Sequence, residues 1–305
     1  MGAMSDRSQT LKQVARRIGQ LVTMLAFVFV GWALFEQRGA LGNWQPSVSQ
    51  VLMLALLVAV YCAALGLLAF NWATIVQTLV QPSPPVAPLL LSYTKTQIAK
   101  YIPGNIVHLV SRHIFLKDFG LDHRPLATAS VIELASLPLC AVIAACLVVP
   151  FVGGAGQVHA QLETLAPLFL AMAAGIAALV SWRIQRSWRM AALRVLSRGV
   201  GFMVFQGTIF AVVLFVVSGS FVAVAIPAAI FAWLVGFLTP AAPGGIAVRE
   251  ALLVGLLAQA AAGDELLIAA LILRVITTAG DLALYIAGNV MLGKRVAAIT
   301  DSPHR

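Results

Sequence analysis

Residues 50–79 form an apolar run without a charged side chain, and long apolar runs recur along the whole chain. A helix needs ~20 such residues to cross ~30 Å of hydrocarbon at ~1.5 Å per residue. Runs at or near that length lie at 18–36, 50–79, 88–119 (interrupted), 125–150, 163–182, 199–218, 221–240, 246–262 and 265–292. They are continuous rather than alternating, which argues against a membrane β-barrel, whose strands alternate over about ten residues. The pattern predicts an all-α polytopic membrane protein. Only 10% of the residues are charged, against about 25% in a soluble domain, and no polar segment is long enough to fold separately.

The basic residues orient these runs. Fifteen of the twenty Lys and Arg fall in four clusters: before the first run, at 112–124, at 183–198 and at 294–305. Short loops rich in Lys and Arg stay in the cytoplasm. The chain therefore divides into a cytoplasmic segment 1–17, one transmembrane domain 18–292 and a cytoplasmic tail 293–305. The expected setting is a bacterial cytoplasmic (inner) membrane, crossed many times, with both termini cytoplasmic. The first run shows no small-residue cleavage site and reads as a retained span, and Asp6 breaks the myristoylation pattern. The net charge of +9 then belongs to cytoplasmic loops, not to a nucleic-acid partner. Trp182 and Trp188, among the arginines of 183–198, fit either an interfacial amphipathic helix or a plain positive loop.

This orientation forces 88–119 to enter and leave on one face. The run is broken at Pro103-Gly104-Asn105, inside Lys-Tyr-Ile-Pro-Gly-Asn, and reads as a re-entrant hairpin with its tip there. The stretch 221–262 contains Thr-Pro-Ala-Ala-Pro-Gly-Gly-Ile-Ala-Val-Arg-Glu, and it is either a second such hairpin or two full spans. Pro103-Gly104 and Pro243-Gly244 lie at matching places in the two halves, as do the runs 125–150 and 265–292. Each half reads span, span, broken hairpin, span. The expectation is an inverted-topology repeat, one half about 18–150 and the other about 163–292, of the kind transporters build around a midplane site.

Proline starts helices well and glycine permits a tight turn. The second limbs should begin just after Pro103-Gly104 and just after Pro243-Gly244-Gly245, aiming free N–H groups and the positive dipole end at an anion. Lys100, Arg112, Arg249 and Glu250 flank the two tips. Glu133, Arg274 and Asp281 lie within apolar runs, where a charge is expensive unless paired or hydrated, and so are candidates for gating or proton relay. Structural readings stand beside these. Lys95, Lys100 and Arg112 can snorkel to the surface. Glu133 and Arg274, near-equivalent in the two halves, can form an ion pair with each other. Arg249 and Glu250 can face solvent, and Asp281 can be hydrated near the inner surface. His108 and His113 have poor metal spacing and read as polar lining. Cys62, Cys140 and Cys146 read as small buried apolar residues. No metal site or cofactor is expected.

Lys-Tyr-Ile-Pro-Gly-Asn followed by Arg112, with Pro-Gly-Gly-Ile-Ala-Val-Arg-Glu followed by Arg274, resembles the flippase-like membrane domain of lysylphosphatidylglycerol synthases (the MprF type) over about residues 15–295. The resemblance implies a lipid translocase fold with two re-entrant hairpins. It carries Lys100, Pro103, Gly104, Arg112, Pro243, Gly244, Gly245, Arg249 and Glu250 into a headgroup site, with Asn105 beside them. Ala247 stands where relatives often have Gly, which bears on tip packing. The aminoacyl-transfer domain of the full-length synthases is not seen, so lipid synthesis is not expected. The expected function is movement of a phosphate-containing lipid, a phospholipid or a polyprenyl-phosphate-linked substrate, between leaflets. On this expectation Arg112 and Arg249 hold the phosphate. The alternative is a non-transporting accessory subunit that binds a lipid-linked sugar for a glycosyltransferase; a lipid synthase is another possible partner. An enzyme is disfavoured: Lys117 to Pro125 matches the first motif of a lipid phosphatase family, but its catalytic histidine motifs do not follow.

Overall fold

The structure is a computed structural model, and it describes residues 45–101, 107–152, 186–239 and 248–300, with Pro167 and Ala171. The expected spans 18–36 and 163–182, and the tips Pro103-Gly104-Asn105 and Pro243-Gly244-Gly245, lie outside the described residues. Every regular element described is helical. The helices are α1 (Val48–Leu79), α2 (Val86–Thr96), α3 (Val107–Lys117), α4 (His123–Val148), α5 (Arg186–Ser218), α6 (Ala225–Phe237), α7 (Val248–Leu257) and α8 (Gly263–Thr300). A short 3-10 helix, Gln97–Tyr101, continues α2, and another, Val149–Phe151, continues α4.

Local sequence explains the element ends. Ser47 caps α1: its hydroxyl accepts from the Gln50 amide, and the Gln50 side chain accepts from the Ser47 amide at 2.8 Å, a reciprocal capping box. Past Leu79 the prolines of Pro82-Ser83-Pro84-Pro85 cannot continue a helix. The α3 segment closes at Gly120, whose φ of 74° suits glycine. There Gly120 N–H donates to Lys117 O and Leu121 N–H to Leu116 O, the paired bonds of a Schellman ending.

Four stretches are long and apolar enough to cross a membrane: Val48–Leu79, His123–Phe151, Trp188–Ser218 and Gly263–Ala297. They mark a membrane protein. Outward-facing residues are themselves apolar, such as Leu52 and Leu56 on α1 and Val290 and Met291 on α8, as expected where the surroundings are hydrocarbon. The remaining helices, α2, α3, α6 and α7, have 11, 11, 13 and 10 residues. At ~1.5 Å per residue each spans only about 15–20 Å, too little to cross alone.

The arginine-bearing stretch expected at 183–198 is, from Arg186 onward, the first part of α5 and not a separate interfacial helix. Helix α5 packs against α1, α4, α6 and α8, while α8 packs against α1 and α2. Glycines let these helices approach closely. On α8 a Cβ at Gly280 would strike Tyr61 of α1, and one at Gly288 would strike Thr94 of α2. Membrane helices associate through such small residues, and these contacts bring the polar side chains of α2 up against α8.

Candidate functional site

Among the described residues, Lys100, Arg112, Glu133, Arg249, Glu250, Arg274 and Asp281 gather inside the helix bundle, and six of these seven form three ion pairs. On α3, Arg112 is 1% exposed. Its Nη1 donates to Glu133 of α4 at 2.6 Å, its Nε to Thr96 Oγ1 at 3.2 Å and its Nη2 to Gln97 Oε1 at 3.2 Å. Its guanidinium carbon lies 4.1 Å from the Tyr93 ring centre and 5.0 Å from that of Trp72, within cation–π range. Each nitrogen therefore has an acceptor, and both neighbouring rings are aromatic. Arg112 does not snorkel, and three of its five N–H groups are taken by these bonds.

Two further pairs involve α8. Lys100 Nζ lies 2.7 Å from Asp281 Oδ2, and Tyr101 Oη donates to the same oxygen at 2.6 Å. Asp281 is fully buried, not hydrated near a surface. One turn earlier, Thr278 Oγ1 donates to Tyr101 Oη at 3.4 Å. Arg274 pairs with Glu250 of α7. Glu133 and Arg274 thus do not pair with each other. Each instead binds a residue on the short helix preceding its own: Arg112 with Glu133, Glu250 with Arg274. The two couples have the same layout with the charges exchanged.

Arg249 has no carboxylate partner among the described residues. Its Nε is buried and has no hydrogen-bond acceptor. Its guanidinium carbon lies 5.7 Å from the Trp233 ring centre. Gly236 on α6 makes room for it, because a Cβ there would come within 2.7 Å of Arg249 Cγ and 2.8 Å of Nε. Next to it Glu250 is 8% exposed and keeps one oxygen, Oε2, without a partner.

A cavity of ≈ 160 Å³ joins these groups. Lys100, Arg112, Glu133, Arg249, Glu250 and Arg274 all border it. Asp281 lies behind Lys100. His108 and Gln206 also face the cavity, with Nδ1 and Oε1 unpartnered, while His113 turns to Ser130 at 3.0 Å. The volume is below the ~300 Å³ at which ligand pockets begin to enclose drug-sized molecules. It is large enough for several waters, each needing about 30 Å³, or for one small polar group.

Among the described residues, the cavity therefore holds a surplus of one cation. Lys100, Arg112 and Arg274 are matched by Asp281, Glu133 and Glu250; Arg249 is unmatched. An anion in the cavity would complete that balance. Sequence reasoning reached the charged residues and missed their supports: Trp72, Tyr93, Thr96 and Gln97 around Arg112, Tyr101 on Asp281, and Gly236 beneath Arg249. Gln97 and Gln206 did carry a signal, as polar residues inside apolar runs; the aromatics and Gly236 look like ordinary span residues. The cysteines are free. Among the described residues, no three His, Cys, Asp or Glu are grouped to hold a metal. Compared with family models, curated proteins and solved structures, the chain matches none.

Proposed function

We propose that the chain is a lipid translocase, of the flippase-like type its motifs resemble, which moves a phosphate-bearing lipid between the leaflets of a bacterial inner membrane. The observation that carries this reading is Arg249: a cation with a buried, unpartnered donor, bordering a polar cavity inside a membrane protein. A desolvated charge of this kind is costly unless something neutralises it. The cavity suits a headgroup, while the acyl or prenyl tails stay in hydrocarbon.

The short helices support the arrangement that transport requires. On our reading α2 with α3, and α6 with α7, are two hairpins that enter from opposite faces and stop at mid-depth. The exchanged-charge pairs support an inverted repeat, since each ties the second limb of a hairpin to the long helix that follows it. A helical run can break off within a membrane where it borders a water-filled cavity. Alternating access would then be a rocking of one half against the other about the cavity. The chain binds and moves its substrate without chemical change, and both termini lie in the cytoplasm.

Leaflet exchange in proteoliposomes tests this. Quenchable phospholipid and polyprenyl-phosphate probes should exchange with wild type and not with Arg249→Ala. Specific binding without exchange would sink the translocase and favour the docking subunit of a glycosyltransferase or lipid synthase. One observation keeps that second reading in view. With 33 residues, α5 is about 50 Å long and outruns a ~30 Å hydrocarbon layer, and it leaves Arg194 exposed for a partner.

A further inference from the structure

The charge balance and the unpartnered atoms of the cavity narrow the substrate class. Resting on the reading of this cavity as a headgroup site, we infer that it takes a lipid phosphodiester carrying one negative charge and at least one hydrogen-bond donor, and that it discriminates against lipid monophosphates and diphosphates.

Charge comes first. Three of the four cations are bonded to carboxylates at the ion-pair contacts described above. Among the described residues only Arg249 remains, so a single negative charge brings the site to neutrality. A phosphodiester carries one. A phosphomonoester carries about one and a half to two at neutral pH, and a diphosphate carries more. Either would leave excess negative charge in a desolvated site, where an unpaired charge is penalised heavily. Arg112 keeps two N–H groups beyond its bonds to Thr96, Glu133 and Gln97, but Glu133 already offsets its charge, so a second negative charge there would go uncompensated.

Hydrogen bonding adds a second condition. Glu250 is more than nine-tenths buried, and its Oε2 has no donor. An ionised carboxylate only accepts. A buried acceptor left without a donor is destabilising, whereas hydrogen bonds to charged groups are among the stronger ones. Gln206 Oε1, on the opposite helix α5, is a second unpartnered acceptor bordering the same cavity. Among the described residues, the unpartnered atoms at the cavity are thus one cationic donor on Arg249, two oxygen acceptors, and His108 Nδ1. The matching headgroup has a phosphodiester for Arg249 and an uncharged donor, a hydroxyl, for Glu250. Two lipid sources share this chemistry: glycerophospholipids with a hydroxyl-bearing headgroup, and sugars joined to a polyprenol through one phosphate.

Binding to the detergent-purified full-length protein tests the inference, read by quenching of tryptophan fluorescence and checked by native mass spectrometry. The probes are short-chain phosphatidylglycerol, phosphatidylmethanol and phosphatidate, farnesyl diphosphate, and a short prenyl-phosphoryl sugar. Phosphatidylglycerol, or the prenyl-phosphoryl sugar, should bind at least about tenfold more tightly than phosphatidate and farnesyl diphosphate. Whichever of the two binds identifies the lipid source. Phosphatidylmethanol has the same charge and no donor, and it should bind about tenfold more weakly than phosphatidylglycerol, the cost of one hydrogen bond to a charged group. Arg249→Gln should abolish binding, while Arg249→Lys, which keeps the charge, should keep the preference for the diester. Equal or tighter binding of the diphosphate overturns the inference and leaves translocation standing. Diester-selective binding without leaflet exchange sustains the inference and overturns translocation. No probe bound by protein that melts cooperatively overturns both.

Discussion

Arg112 and Arg249 are the same residue type, each just past a proline-glycine break in an apolar run, and the fold gives them opposite tasks. Arg112 is bonded at every nitrogen, so it holds α2, α3 and α4 together. Removing it leaves Glu133 buried and alone, which costs about 3–5 kcal/mol. Arg112→Ala should therefore lower the thermal unfolding midpoint in detergent sharply, and an unchanged midpoint would contradict the structural role. Arg249→Ala should behave the other way. It deletes a charge that lacks a carboxylate partner, so the midpoint should move little or rise while headgroup binding disappears. Gly236→Ala probes the same side chain from beneath. Its methyl would meet Arg249 Cγ at 2.7 Å, so Arg249 must shift, and binding should fall by about tenfold or more with the fold retained. A misplacement near 1 Å can cost that much at a site built on position.

Between α2 and α8 the polar contacts converge on one carboxylate, since Lys100 and Tyr101 both reach Asp281. Asp281→Asn should destabilise the protein by stranding Lys100. The double variant Lys100→Met with Asp281→Leu should be more stable than either single change, because well-packed apolar residues often replace a buried pair without loss; additive effects in a double-mutant cycle would argue against direct coupling. The helices themselves were largely legible in the sequence. The runs 50–79, 125–150 and 265–292 lie within or nearly coincide with α1, α4 with its 3-10 extension, and α8, since continuous apolar length is set by bilayer thickness. The charged residues within runs were legible for the same reason: hydrocarbon makes each conspicuous. Their pairing was not. Arg112 and Glu133 are 21 residues apart, Glu250 and Arg274 are 24, and Lys100 and Asp281 are 181. No helical period links such separations, so the near-equivalence of Glu133 and Arg274 suggested a bond between them that the packing does not make. Helix α5 was read short because its arginines, which lie beyond the apolar stretch, interrupt hydropathy without interrupting the helix.

Taken together, the bundle carries one design twice with its charges reversed: a cation on the short helix and a carboxylate on the long one, then the converse. If pairing alone matters, Glu250→Arg with Arg274→Glu should recover much of the stability lost by either change, and failure to recover would mean that Arg274 is needed as a cation at the cavity wall. The separation of 181 residues between Lys100 and Asp281 also has a consequence for synthesis. At about 5–20 residues per second, the ribosome delivers the carboxylate on the order of ten to forty seconds after the lysine. Throughout that interval Lys100 lacks its mate, and the nascent first half must keep it hydrated or shielded by the insertion machinery. A chain stopped before α8 never receives the counter-charge. Pulse-chase labelling should show rapid proteolysis of a chain ending at Ala262, and Lys100→Met should prolong its survival. Helix α8 is, on this account, the quality-control signal for Lys100 and the segment that carries it.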